Sequence, residues 1–210
     1  MRGLCTTMID WTSPGVVCNI LWAVWYVTWV AAVVFSKQTK TQMKTDVGGL
    51  HRMVSSLGVV LLFFFPAGDG RPLFGVPALG QFTQRLWLAP DDVAWTLVGL
   101  TVAGFAFCWW ARLHLGRLWS GFVTLKEGHH IVDTGPYGLV RHPIYSGLMF
   151  SAFMTAGLRA TLAAFCGAVL ITIGFSLTAR IEERFLREQL GADAYDAYSR
   201  RVGMLVPGIG

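Results

Sequence analysis

Charged side chains are scarce in this chain of 210 residues. Only 14% of the residues are Asp, Glu, Lys or Arg, whereas 54% are hydrophobic and the mean hydropathy is +0.52. Because a soluble domain needs a more polar surface, this composition excludes a water-soluble protein. It is typical of a small polytopic membrane protein.

Two familiar sequence signals are also absent. The four cysteines are scattered without a Cys-x-x-Cys pair, so neither a zinc site nor a disulfide framework is indicated, and we expect no metal. We expect the cysteines to be packing residues. No Gly-x-Gly-x-x-Gly follows a predicted strand, which argues against a Rossmann-type nucleotide site. No segment repeats or is low in complexity, so residues 1–210 are predicted to form a single domain.

Long apolar runs are what the chain does have. Five of them are predicted to be transmembrane helices, which makes the fold class all-α. They are Gly15–Phe35, Met53–Phe65, Val93–Ala111, Pro143–Leu158 and Ala160–Ala179. The first run exceeds the apolar region of a cleavable signal peptide and is interpreted as a retained span.

The last two runs are separated only by Arg159. Because Gly157-Leu158-Arg159 leaves almost no room for a loop, we expect residues 143–179 to form a tight antiparallel hairpin. The two outer ends of such a hairpin face the same side of the membrane.

Lys and Arg are distributed unevenly between the connecting segments. Thirteen of the 17 follow the first, third or fifth run. The positive-inside rule therefore predicts an N-terminus outside and a C-terminus in the cytoplasm. The net charge of +5 is interpreted as membrane orientation and attraction to anionic lipids, and it gives no support to nucleic-acid binding.

Polar residues cluster at both outer ends of the predicted hairpin. Arg141-His142-Pro143 begins its first helix, and Glu182-Glu183 follows its second. Pro143 favours the first position of a helix, whose free N–H groups, with Arg141 beside them, suit an anion. The two carboxylates suit an ammonium group or ribose hydroxyls. We expect both clusters to share one water-accessible pocket on the cytoplasmic face.

Each cluster also has an ordinary structural interpretation. Arg141 alone is compatible with an arginine that extends to the membrane interface. Glu183 lies four residues before Arg187, which is the spacing of a common helix ion pair. The ordered set of Gly-Pro-Tyr, Arg-His-Pro-x-Tyr-x-Gly, apolar hairpin and Glu-Glu is much harder to obtain by chance.

That ordered set resembles the isoprenylcysteine carboxyl methyltransferases and the related phospholipid N-methyltransferases, which are integral membrane enzymes that use S-adenosylmethionine. The resemblance spans roughly Arg112 to Pro207 and includes the run Leu115–Ser120. Its other residues are His129, Gly135-Pro136-Tyr137, Arg141-His142-Pro143, Tyr145, Gly147, Glu182-Glu183, Leu190-Gly191, Tyr195, Tyr198 and Val206-Pro207.

The resemblance implies a catalytic region at residues 112–210, with a cytoplasmic C-terminal helix, after three spans within residues 1–111. It implies that the cofactor is S-adenosylmethionine. It also implies a set of catalytic residues and a larger set of cofactor-binding residues. The catalytic set is Arg141, His142, Glu182 and Glu183. The cofactor-binding set is His129, Gly135, Pro136, Tyr137, Arg141, His142, Tyr145, Glu182 and Glu183. His114 is a further candidate.

Three function classes follow. The first is methylation of the carboxylate of a prenylcysteine-like or other lipophilic acceptor that enters from the bilayer, a reaction that needs no general base. The second is methylation of a phospholipid amine or of a small lipophilic thiol or alcohol, for which His142 is the obvious base. The third is a non-enzymatic or differently catalytic membrane protein on the same scaffold, such as a sterol-reductase-like relative that uses NADPH.

Overall fold

A computed structural model describes residues 11–32, 39–42, 48–65, 67–116, 119, 124–126 and 131–209. Seven helices form the architecture of this part of the chain. They are α1 (Pro14–Ala31), α2 (Gly48–Phe63), α3 (Pro77–Thr83), α4 (Asp91–Leu115), α5 (Pro143–Arg159), α6 (Leu162–Leu190) and α7 (Ala192–Ser199). A short 3₁₀ helix, Gly135–Gly138, precedes α5.

The five predicted spans correspond to α1, α2, α4, α5 and α6, so the all-α polytopic architecture is confirmed. Within the described residues, α1, α4 and α6 are long and apolar enough to cross a membrane, at 18, 25 and 29 residues. Helices α2 and α5 have 16 and 17 residues. At 1.5 Å per residue they reach about 25 Å, somewhat less than the hydrocarbon thickness of a bilayer.

Two short strands accompany the helices. Strand β1 (Thr39–Gln42) pairs antiparallel with β2 (Thr124–Lys126), with Thr39 opposite Lys126 and Gln42 opposite Thr124. This ribbon joins the segment after α1 to the segment after α4. It was not anticipated from the sequence, because each strand is too short to show an alternating pattern.

The turn between α5 and α6 is as tight as predicted. Ala160 ends α5 in a left-handed conformation, with φ 53° and ψ 43°. Thr161 then caps α6, because its side-chain oxygen accepts a hydrogen bond from the Ala164 amide at 3.1 Å. The helices therefore run antiparallel with no intervening loop, and Pro143 and the end of α6 lie at the same end of the hairpin.

Small residues bring α2 against α6. A Cβ atom added at Gly58 would lie 2.7 Å from the Gly167 carbonyl oxygen, and one at Gly167 would lie 2.6 Å from the Gly58 carbonyl oxygen. Further along α6, a Cβ at Gly174 would lie 2.0 Å from the Ser55 hydroxyl. Close backbone approach of this kind is how helices associate without a hydrophobic driving force between them. Helix α2 thereby holds the helix that carries the two glutamates.

Helices α4 and α5 approach in the same way. A Cβ at Gly104 would lie 2.8 Å from the Gly147 carbonyl oxygen, and one at Gly147 would lie 2.6 Å from Cys108 Sγ. Cys108 is fully buried, as expected of a packing residue, and so is Cys18. Cys166 is exposed, in contrast to that expectation, and Cys5 lies outside the described residues.

Helix α6 differs from the prediction at its C-terminal end. The predicted span ends at Ala179, whereas the helix continues without a break to Leu190. The short helix α7 begins immediately after Gly191, whose φ is +100°. The glutamates are therefore rigidly connected to the hairpin.

Candidate functional site

The two polar clusters at the outer end of the α5–α6 hairpin are in direct contact. His142 is the N-cap residue of α5 and Pro143 is its first residue, as predicted. Glu182 and Glu183 lie on α6, after its apolar run and towards its C-terminal end. Because the hairpin has no loop, the two clusters are brought to the same level, as expected from the sequence, while the water-accessible pocket between them stays a prediction.

Arg141 and Glu183 form a two-point ion pair. Arg141 Nε donates to Glu183 Oε1 at 2.6 Å, and Nη2 donates to Oε2 at 3.3 Å. Their side chains are only 7% and 18% exposed. A guanidinium that is this well enclosed needs good partners, and the fork-to-fork geometry supplies them. Arg141 is therefore not an arginine that merely extends to the membrane interface.

His142 lies between the two carboxylates. Its Nε2 is 3.1 Å from Glu183 Oε1, and its Nδ1 is 3.8 Å from Glu182 Oε2. Since an ionised carboxylate only accepts hydrogen bonds, the proton in the shorter contact resides on Nε2. The Tyr145 hydroxyl donates to Glu182 Oε2 at 3.0 Å. Arg141, Glu183 and His142 are thus hydrogen-bonded together, and the Tyr145–Glu182 pair adjoins them through the 3.8 Å contact between His142 and Glu182.

Three aromatic rings stack beside this cluster. The His142 and Tyr145 rings lie 5.4 Å apart with an interplanar angle of 9°. The Phe175 ring of α6 continues the stack at 5.1 Å from Tyr145, with an angle of 8°. This arrangement fixes the orientation of the imidazole and of the Tyr145 hydroxyl.

The 3₁₀ helix Gly135–Gly138 approaches the same cluster. Burial raises the pKa of the Tyr137 phenol, and the negative charge of Glu182 raises it further. The Tyr198 hydroxyl donates to the Tyr137 carbonyl oxygen at 2.8 Å, which ties this turn to α7. Burial also raises the pKa of Tyr198, so its hydroxyl keeps the proton that it donates.

His114 packs against the start of the 3₁₀ helix. Its Nε2 lies 2.9 Å from Thr134 Oγ1. Gly135 adopts φ +58°, and a Cβ there would lie 2.7 Å from His114 Cε1. A glycine is therefore favoured at this position, both by its conformation and by the close approach of the His114 ring. Among the predicted cofactor residues, His129 lies outside the described residues.

The alternative pairing of Glu183 with Arg187 is not the one observed. Arg187 makes two hydrogen bonds to Asp196 of α7, at 2.7 Å and 2.8 Å. This exposed ion pair lowers the pKa of Asp196, chiefly through the hydrogen bond from Arg187. It holds α7 against the end of α6 and leaves Glu183 for Arg141 and His142.

Sequence reasoning missed several contributors to the site. Phe175 lies seven residues before Glu182, which is two helical turns, so a helical projection places both on one face. The carbonyl oxygens of Ser199 and Val202 accept from Arg141 Nη1, the first at 2.9 Å. Carbonyl oxygens of the backbone are present in every residue, so the sequence gives no indication of which ones will accept a hydrogen bond from Arg141.

Within the described residues, no group of three or more His, Cys, Asp and Glu is arranged to hold a metal ion.

Comparison with known proteins finds similarity over the segment that contains both polar clusters. The model of the isoprenylcysteine carboxyl methyltransferase (ICMT) family matches residues 97–188, from α4 to the glutamates. A eukaryotic intramembrane Ras methyltransferase, ICMT, has a similar fold, with a TM-score of 0.59 at 19% identity. The similarity covers 94% of this chain and 69% of that structure.

Two curated relatives match shorter stretches. A methanethiol S-methyltransferase from a Pseudomonas species is 39% identical over 71 residues, which are 34% of this chain and 26% of that protein. The cobalt-zinc-cadmium resistance protein CzcN of Cupriavidus metallidurans is 25% identical over 126 residues, which are 58% of this chain and 51% of that protein. The chain therefore spans about a quarter and about half of the lengths of these relatives.

The family model and the shared fold confirm the resemblance seen in the motifs, and the apolar helices agree with an integral membrane protein. Methyltransferase, the enzyme class expected from the sequence, is also the class named for two of these relatives. Residues 97–188, which carry the Arg141–Glu183 pair, are thus similar to the isoprenylcysteine carboxyl methyltransferase family, and the chain has a fold similar to that of an intramembrane methyltransferase.

Proposed function

We propose that this chain is an integral membrane methyltransferase that uses S-adenosylmethionine and acts on a lipophilic acceptor. The observation that carries the proposal is the partly buried cluster of Arg141, His142, Tyr145, Glu182 and Glu183 at one end of the hairpin. Enclosed ionisable groups are costly in a membrane protein, so a cluster of them supports a functional site. The family match over residues 97–188 supports the same activity.

The cluster suits the chemistry of the cofactor. S-adenosylmethionine, when bound, supplies an electrophilic methyl group on a sulfonium, and it carries an ammonium group and a ribose diol that carboxylates recognise. Glu182 Oε1 has no hydrogen-bond partner within the described residues, and the side chain is 30% exposed. Both oxygens of Glu183 are already engaged. Glu182 is therefore the residue that we assign to direct cofactor contact.

Arg141 and Glu183 have a different role in this proposal. Four hydrogen bonds of the guanidinium go to Glu183, Ser199 and Val202. We expect the pair to orient His142 and the start of α5, which is a positioning contribution. Neutralisation of a cofactor or acceptor carboxylate by Arg141, as expected from the sequence, stays a prediction.

Carboxylate O-methylation is the reaction that we favour, because such an acceptor is already a nucleophile and needs only alignment and partial dehydration. A thiol acceptor is the second candidate, and the similarity to a methanethiol S-methyltransferase supports it. That reaction needs a proton acceptor. His142 offers Nδ1 for this purpose, since its Nε2 proton is committed to Glu183.

The acceptor is expected to enter from the bilayer, with membrane lipids as neighbours and no nucleic-acid partner. The excess of Lys and Arg after the first, third and fifth apolar runs supports a cytoplasmic site and a cytoplasmic C-terminus.

The activity is tested with purified protein in detergent. Calorimetry with S-adenosylhomocysteine measures cofactor binding. Incubation with methyl-labelled S-adenosylmethionine and three acceptors, a prenylcysteine analogue, a phosphatidylethanolamine and a lipophilic thiol, then identifies the acceptor class. Label on the prenylcysteine analogue supports the favoured reaction, and label on another acceptor replaces it. Absence of cofactor binding overturns the methyltransferase proposal.

Glu182→Gln is expected to weaken S-adenosylhomocysteine binding at least about tenfold, because a hydrogen bond to a charged group is worth about 1.5–3 kcal/mol. The unfolding temperature should stay near that of the wild type, since the Gln carbonyl can still accept from Tyr145. Calorimetry and thermal unfolding measure the two effects. Glu188→Gln, an exposed change on the same helix, is the matched control. Wild-type affinity in Glu182→Gln would remove Glu182 from the cofactor site.

A further inference from the structure

The residues after α7 fold back along the start of α5. We call residues 200–209 the C-terminal strap. The Arg141 amide donates to the Gly203 carbonyl oxygen at 2.8 Å, and the His142 amide donates to the Met204 carbonyl oxygen at 3.1 Å. Val140 and Gly203 form a parallel bridge. The strap therefore satisfies the backbone of both site residues that precede Pro143.

Two side chains extend the contact. Arg141 Nη1 donates to the Val202 carbonyl oxygen, within the strap, and to the Ser199 carbonyl oxygen at the end of α7. Ser146, in the first turn of α5, donates through Oγ to the Leu205 carbonyl oxygen at 2.6 Å. The Ser146 hydroxyl also lies 3.1 Å from the His142 carbonyl oxygen, which is a second and longer hydrogen-bond contact. Ser146 is thus the side chain of α5 that fastens the middle of the strap.

The strap has its own internal order. The Met204 amide donates to the Ile209 carbonyl oxygen, and the Ile209 amide donates to the Val206 carbonyl oxygen, both at 3.1 Å. A Cβ added at Gly203 would lie 2.3 Å from the Val206 carbonyl oxygen. This tight turn presents a row of carbonyl oxygens to α5 and to Arg141.

We propose that the C-terminal strap is a positioning element of the site and that Ser146 is its anchor. The guanidinium of Arg141 is held on one side by strap and α7 carbonyls and on the other by Glu183, so its orientation depends on both. Loss of the Ser146 hydroxyl loosens the strap and lets Arg141, and with it Glu183 and His142, leave the arrangement that the cofactor requires. The cofactor part of this inference rests on the proposed function.

The test uses the full chain in detergent and two independent readouts. Trypsin cleavage after Arg201, followed by mass spectrometry of the fragment that begins at Val202, measures opening of the strap. Calorimetry with S-adenosylhomocysteine measures the consequence at the site. For Ser146→Ala we expect cleavage about two- to tenfold faster, as fits the loss of one hydrogen bond, and a weaker affinity by a similar factor.

Two matched variants complete the design. Ser146→Thr keeps a hydroxyl and should restore both properties. Ser176→Ala removes a hydroxyl of α6 that donates to the Thr172 carbonyl oxygen of the same helix, at 2.7 Å, and this variant should change neither property.

Each unexpected result has a distinct meaning. Cleavage of Ser146→Ala at the wild-type rate would overturn Ser146 as the anchor. Faster cleavage with unchanged affinity would overturn the positioning role of the strap. A wild-type chain that binds no S-adenosylhomocysteine would overturn the proposed function and the cofactor part of this inference, while the cleavage rates would still decide whether Ser146 anchors the strap.

Discussion

Glu183→Gln is expected to abolish measurable binding of S-adenosylhomocysteine and to lower stability at the same time. The substitution leaves Arg141 opposite a neutral amide, and Arg141 Nε, Arg141 Nη2 and His142 Nε2 lose their common anionic acceptor. Breaking one side of an enclosed ion pair costs about 3 kcal/mol. Calorimetry measures the affinity, and thermal unfolding in detergent measures the stability.

The comparison with Glu182→Gln makes this prediction specific. Glu182 shares the helix, the neighbourhood and the charge of Glu183, yet its only close protein donor in the described residues is the Tyr145 hydroxyl. We therefore expect loss of affinity in both variants and loss of stability only in Glu183→Gln. If Glu182→Gln and Glu183→Gln unfold at the same temperature, the Arg141–Glu183 pair does not stabilise the site.

Gly167→Ala is expected to disrupt the packing of α2 on α6. The new methyl group would meet backbone atoms at 2.6 Å and 2.7 Å, the Gly58 carbonyl oxygen and the Leu62 amide nitrogen. Backbone cannot rotate away as a side chain can, so the helices must separate. Overpacking of this kind costs about 1–3 kcal/mol. Thermal unfolding in detergent measures the loss, and cofactor affinity should fall with it because α6 carries both glutamates.

Gly99→Ala is the matched control for that change. It introduces the same methyl group into α4, where a Cβ would have nothing within 4 Å. Alanine is favoured over glycine inside a helix by about 1 kcal/mol, so this variant should be neutral or slightly stabilised. If both alanine variants unfold at the same temperature, close approach of α2 and α6 contributes nothing to the fold.

Together these contacts explain how a short chain builds a polar site at the end of apolar helices. Glycines at the α2–α6 and α4–α5 contacts carry no side chain between the helices, and this lets α6 approach α2 and α5 approach α4 closely. The ion pair then joins the two ends. The site is therefore supported from the membrane side by packing and from the other side by α7 and the strap.

The five helices and the juxtaposition of the two polar clusters were predictable from the sequence. Apolar length indicated the spans, and the single residue between the last two runs indicated the hairpin. Pro143 at the first position of α5 followed from its fixed φ and its missing N–H. These are local properties, and each can be recognised in a short stretch of the sequence.

The partners within the site were not predictable in this way. Arg187 pairs with Asp196 rather than with Glu183 because α7 turns back at Gly191, a geometry that no spacing rule anticipates. Likewise, the strap binds Arg141 and Ser146 through carbonyl oxygens, which are the same in every residue type.

The sequence by itself determined that this is a helical membrane protein with a hairpin whose two polar ends meet. Only the tertiary structure decided which carboxylate neutralises Arg141 and which keeps an oxygen free, and that the C-terminal strap lies over the start of α5. The physical reason is that span length and helix starts depend on residues near in sequence, whereas hydrogen-bond pairing depends on the relative placement of α5, α6 and α7.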